Sequence, residues 1–166
     1  MSTTPLIVCV DDQREVGSAL LRDLEPLTSH FTVVDCTSAA EAWEELEEAD
    51  SRGRPVALLI CDHLMPVETG VAFLTRVRSD FRFRGVHSIL LTGMATQQDT
   101  IEAINAAQLD RYVSKPWDPQ RLLTVVKEEL TRWVLENSLP TDRFEGSLAG
   151  DVIMRESWRD GTDPRA

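Results

Sequence analysis

Apolar positions along this chain follow two alternating rhythms. Short runs with little polar interruption occupy residues 6–10, 31–35, 56–61, 86–91 and 111–114, and each reads as a strand. The run at 56–61 is apolar throughout, as expected of a strand covered on both faces. Between the runs, apolar residues recur at helical spacing. Val16, Ala19, Leu20 and Leu24 define a helix over 13–25, and Ala39, Ala42, Trp43 and Leu46 define a second. Val71, Leu74 and Val77 mark a third, residues 96–107 a fourth with Thr96 as cap, and Leu122, Val126, Leu130 and Trp133 a fifth that ends near Asn137.

Local punctuation supports these boundaries. Ser38 precedes Glu41 by three residues, a capping box. Arg52-Gly53-Arg54-Pro55 ends the second helix, and Asp118-Pro119 puts a good cap before a proline in the first turn. Five βα units in about 137 residues predict an α/β fold with a doubly wound parallel five-stranded sheet. Residues 138–166 lack this pattern. They form a C-terminal tail expected to be partly disordered, or to dock a short amphipathic piece at 148–158.

Composition narrows the options. A chain of 166 residues with 42% hydrophobic and 27% charged residues suits one soluble domain with a modest extension. No apolar run approaches the roughly 20 residues of a membrane span, and the first residues do not form a signal peptide, so a cytoplasmic protein without membrane contact is expected. The net charge of −11 argues against direct DNA binding. Cys9, Cys36 and Cys61 fall in or beside strands without any CxxC and are read as buried apolar residues in a reducing compartment. His30 and His87 stand alone in the sequence, which offers no zinc motif.

The candidate chemistry lies at the carboxyl ends of the strands, where parallel α/β sheets collect ligands. Asp11 and Asp12 follow the first strand, Asp62 the third, Thr92 the fourth and Lys115 the fifth. Three carboxylates, with a backbone carbonyl near Leu64, make an oxygen-rich site for Mg²⁺. Asp62 is the candidate nucleophile toward a phosphoryl donor, with Lys115 and Thr92 neutralising the phosphoryl oxygens.

In this order and spacing the chain resembles a response-regulator receiver domain of two-component signalling, over roughly residues 5–135. The resemblance is carried by VCVDD, by LLICDHLMP with Gly70, by ILLTG and by YVSKP. It implies a flavodoxin-like (βα)5 sheet of strand order 2-1-3-4-5, a receiver domain over 1–137, and phosphorylation of Asp62 by a sensor histidine kinase or phosphotransfer protein. It also implies a cis peptide at Lys115-Pro116 and a Thr92–Tyr112 switch that remodels the face of the fourth helix, fifth strand and fifth helix for a downstream protein effector. Such a domain phosphorylates and dephosphorylates itself rather than turning over a substrate. Homodimerisation on phosphorylation, and membership of a larger effector protein, stay open. Leu64 and Met94 flank the expected path of an attacking water and are apolar, which predicts slow self-dephosphorylation. His63, beside Asp62, is expected to point away from the chemistry. The rival from another class is a Mg²⁺-dependent aspartate-nucleophile phosphohydrolase, but such enzymes place a DxD pair after the first strand, whereas here the pair is adjacent.

Overall fold

A computed structural model describes residues 3–93, 105 and 108–159. The five expected strands are all present: β1 (Leu6–Val10), β2 (Thr32–Cys36), β3 (Val56–Asp62), β4 (His87–Thr92) and β5 (Arg111–Ser114). They pair in parallel in the order β2-β1-β3-β4-β5. Among the described residues the α-helices with defined bounds are α1 (Arg14–Asp23), α2 (Ala39–Ser51), α3 (Gly70–Ser79), α4 (Pro119–Glu136) and α5 (Gly150–Arg159). The helix expected at 96–107 lies outside the described residues apart from Asn105, as does Met94. No helix among the described residues is long and apolar enough to cross a membrane.

Strand pleating divides the core into two layers, because successive side chains point to opposite faces. Leu6, Val8 and Val10 of β1 join Leu59, Cys61 and Leu90 under α2 and α3. Ile7 and Cys9 join Ile60, Ile89 and Leu91 under α1 and α4. One register irregularity interrupts this rule. Leu6 pairs with Val56 but Ile7 pairs with Leu58, so Ala57 and Leu58 both fall in the second layer.

The helix starts are built as the sequence indicates. Ser38 Oγ accepts the Glu41 amide at 3.1 Å, while Glu41 Oε2 reaches back to the Thr37 amide at 2.8 Å. Thr69 caps α3 through the Ala72 amide, and Asp118 caps α4 through the Arg121 amide. Lys115-Pro116 is cis, as the resemblance implied.

Residues 138–159 are docked rather than loose. Phe144 is 1% exposed and stacks on Phe31 with ring centroids 5.2 Å apart. Ser147 Oγ and His30 Nδ1 lie 2.8 Å apart, which removes His30 from its expected isolation. The Ala149 amide donates to Thr131 Oγ1 on α4 at 2.8 Å, and Val152 of α5 is buried. A buried aromatic, two polar contacts and the buried face of α5 together anchor this segment.

Two predictions follow from the packing. Phe144→Ala removes a buried ring and should cost about 3 kcal/mol or more, read from the urea midpoint. All three thiols are buried, and burial pushes Cys36 up to about 12 and raises Cys9 and Cys61 well above the ordinary thiol range. A thiol reagent should therefore label no cysteine in the native protein and all three after unfolding. Fast labelling of native Cys9 or Cys61 would contradict the packing.

Candidate functional site

The sheet register assembles the site. Val10 pairs with Cys61, so Asp11 emerges beside Asp62 at the carboxyl end of the sheet. Asp62 pairs with Leu91, which sets Thr92 one step further along the neighbouring strand. Thr92 pairs with Ser114, and the Lys115 amide donates to the Thr92 carbonyl at 2.6 Å, which directs Lys115 back across the sheet edge. Its ammonium lies 2.8 Å from Asp11 Oδ2 and 3.0 Å from Asp62 Oδ1. Asp11 is buried and its other oxygen accepts the Gln13 amide at 2.9 Å, so it is held from both sides. Asp12 is exposed at the rim.

Carboxylate oxygens of Asp11, Asp12 and Asp62 all lie within 4.8 Å of one another. At that separation each like-charged pair costs roughly 3 kcal/mol for an effective dielectric near 20. One ammonium cannot neutralise three acids, so the donor set fits a hard divalent cation with oxygen ligands. Burial raises the Asp62 carboxyl above its ordinary value; the Lys115 hydrogen bond opposes this, and the Asp11 charge adds to it. Burial pulls the Lys115 ammonium down, but hydrogen bonds and charge from Asp11 and Asp62 outweigh it and leave the group raised.

Thr92 is buried at the end of β4, beside the cluster. Leu64 lies in the loop after Asp62 with its side chain 73% exposed. That loop is tightly constrained. The Gly70 amide donates to the His63 carbonyl at 2.8 Å, and a Cβ at Gly70 would overlap the Asp62 carbonyl oxygen. Only glycine permits so close an approach between the start of α3 and the end of β3. Val67 in the same loop holds φ at 72°, a strained conformation for a β-branched residue. His63 Nδ1 is buried without a hydrogen-bond partner. Tyr112 stands apart from the acids, 49% exposed on β5 beside a cavity of about 590 Å³ that Pro116, Trp117 and Arg121 also line.

Sequence reasoning missed two features. Trp117 Nε1 donates to Asp23 Oδ2 at 2.8 Å, tying the segment after Lys115 to the end of α1. His87 is not isolated: its Nδ1 lies 2.9 Å from Glu129 and its Nε2 2.8 Å from Glu136. The sequence hint was slight: a histidine and a serine opening a strand that is apolar from Ile89 to Leu91.

Removing Lys115 should expose the repulsion among the acids. Lys115→Met is expected to lower stability by roughly 2–3 kcal/mol, less than for a fully enclosed pair because the rim is open. Mg²⁺ should restore more stability to this variant than to the wild type, as read by thermal melting.

Known proteins place this arrangement. Residues 7–127 match the family model described as response regulator receiver domain. The chain is 32% identical over 151 residues to the hydrogenase transcriptional regulatory protein HoxA of Cupriavidus necator, covering 91% of this chain but 29% of HoxA. It is 31% identical over 125 residues to the chemotaxis protein CheY1 of Helicobacter pylori, covering 75% of this chain and 92% of CheY1. Among solved structures, the signal receiver domain of an HD domain-containing protein from Pseudomonas fluorescens Pf-5 superposes with a TM-score of 0.70 at 30% identity, covering 83% of this chain and 95% of that one. The chain thus spans less than a third of HoxA, yet nearly all of CheY1 and of the solved receiver. With the fold, strand order and acid cluster in place, the chain belongs to the response regulator receiver domain family of two-component systems.

Proposed function

We propose that this receiver accepts a phosphoryl group on Asp62 from the phosphohistidine of a sensor histidine kinase or phosphotransfer protein. The observation that carries this reading is the Lys115 ammonium bridging Asp11 and Asp62 within a three-carboxylate cluster at the sheet's carboxyl edge. A carboxylate oxygen of Asp62 attacks phosphorus, the P–N bond breaks, and its electron pair returns to the donor imidazole. The product is an acyl phosphate. Burial that raises the Asp62 carboxyl also makes its anion more basic, which favours attack, while Lys115 keeps it ionised.

Asp11, Asp12 and Asp62, with a carbonyl near Leu64, would hold Mg²⁺, which supplies charge that offsets the carboxylates and the incoming phosphoryl oxygens. Lys115, already within hydrogen-bond reach of Asp62, then pairs with a phosphoryl oxygen, and the Thr92 hydroxyl takes another. Inward movement of Thr92 lets Tyr112 leave its half-exposed position, which changes the face built by β5 and α4. A downstream protein reads that face, in a cytoplasmic signalling role without DNA or membrane contact by this domain. In relatives such as HoxA the matching domain is a fraction of a larger chain, so an effector joined to the receiver is a second form of the same reading.

Acetyl phosphate with Mg²⁺ should add the mass of one phosphoryl group to the wild type and nothing to Asp62→Ala. An unchanged wild-type mass, or equal modification of the variant, overturns the proposal. The exposed Leu64 cannot orient an attacking water, so the phosphoprotein should persist for minutes or longer, and Leu64→Glu should shorten its lifetime.

A further inference from the structure

At the opposite edge of the sheet, His87 opens β4 and faces a second group of metal-ligating side chains. Its Nδ1 lies 2.9 Å from Glu129 Oε2 and 3.8 Å from Asp110 Oδ1. Ligand atoms of His87, Asp110 and Glu129 all fall within 4.8 Å of one another. Ligands held about 2.0–2.1 Å from a tetrahedral zinc ion stand roughly 3.3 Å apart, so little movement is needed to admit one.

The outer contacts are arranged as such a site requires. Glu129 is 1% exposed; its Oε1 is held by Arg132 at 2.5 Å, which leaves Oε2 toward His87. Asp110 Oδ2 accepts the Ser88 amide at 2.8 Å, which leaves Oδ1 toward the same nitrogen. Glu136 Oε2 lies 2.8 Å from His87 Nε2, on the far side of the ring. A carboxylate on the second nitrogen fixes the tautomer and raises the basicity of the ligating one. Each candidate ligand therefore has one atom secured by the protein and one directed inward.

Charge points the same way. Asp110, Glu129 and Glu136 face His87, with Arg132 paired to Glu129, Arg111 paired to Glu128 and 3.8 Å from Glu129, and Arg78 acting on Asp110 at longer range. Burial pulls the His87 imidazole down, but its hydrogen bonds to the Glu129 and Glu136 carboxylates and the charge of Asp110 outweigh this and raise it to about 9, so these acids favour positive charge at the ring.

We propose that His87 Nδ1, Asp110 and Glu129 form a binding site for a divalent transition cation of the zinc class, with Glu136 orienting the imidazole. The ion replaces the proton on Nδ1 and fastens the far end of α4 to the starts of β4 and β5. This site is distinct from the acids around Asp62, which offer oxygen alone.

Chelator-treated full chain, held in millimolar Mg²⁺, is titrated with Zn²⁺ by calorimetry and with Co²⁺ by visible absorption, while imidazole resonances are followed by NMR. The expected result is one Zn²⁺ per chain, nitrogen ligation of Co²⁺, and a shift of the His87 resonances only. Asp12→Asn should leave this binding unchanged. Affinity should fall at least 100-fold in His87→Gln and about 10–100-fold in Glu136→Gln. Glu136 has a side chain 59% exposed, so its variant keeps the test usable if His87→Gln unfolds. Unshifted His87 resonances, equal affinity in Glu136→Gln, or binding lost with Asp12→Asn instead would overturn the proposal.

Discussion

The contact between the Lys115 ammonium and the Asp11 and Asp62 carboxylates is the constraint on which this molecule turns. It joins residues 104 positions apart and exists only because three parallel strands end in register. A one-residue slip of β3 against β1 would send Asp62 to the other face of the sheet and dissolve the cluster. The apolar strands therefore do more than fill a core. Their continuous burial fixes register, and register places charge.

A site held this way is electrostatically unfinished, since three acids face one ammonium. The same imbalance that repels the carboxylates in isolation makes the pocket receptive to a cation. The tight approach of Gly70 to the end of β3 and the unfavourable backbone angle at Val67 keep the adjoining loop from relaxing around that charge.

Much of this was legible in the sequence because the relevant signals are local. The uninterrupted run ending in Asp62, the Ser38–Glu41 spacing and Asp118-Pro119 each declare an element within a few residues. Boundaries moved by only a residue or so, as where β3 extends to include Asp62 itself. What escaped were contacts whose partners are distant and whose residue types are common. His87 meets Glu129 and Glu136 across 42 and 49 positions, and nothing in the His87-Ser88 start of β4 announces that. The tail was legible only in part: the amphipathic piece at 148–158 matches α5, but the docking of Phe144 on Phe31 and of the Ala149 amide on Thr131 Oγ1 rests on single distant partners. Trp117 reaching Asp23 belongs to the same class.

Helix α4 runs between the two ends of the domain. It begins three residues after Pro116 and finishes with Glu136 against His87, a rod of about 27 Å. Its distal half is moored by His87 and by the docked tail, whereas its first turn borders the segment that carries Lys115. Such a rod can swing about its moored end but cannot slide along its own axis. Displacements that originate at the Asp62 end are thus converted into a small angular sweep of one helix, largest at its first turn.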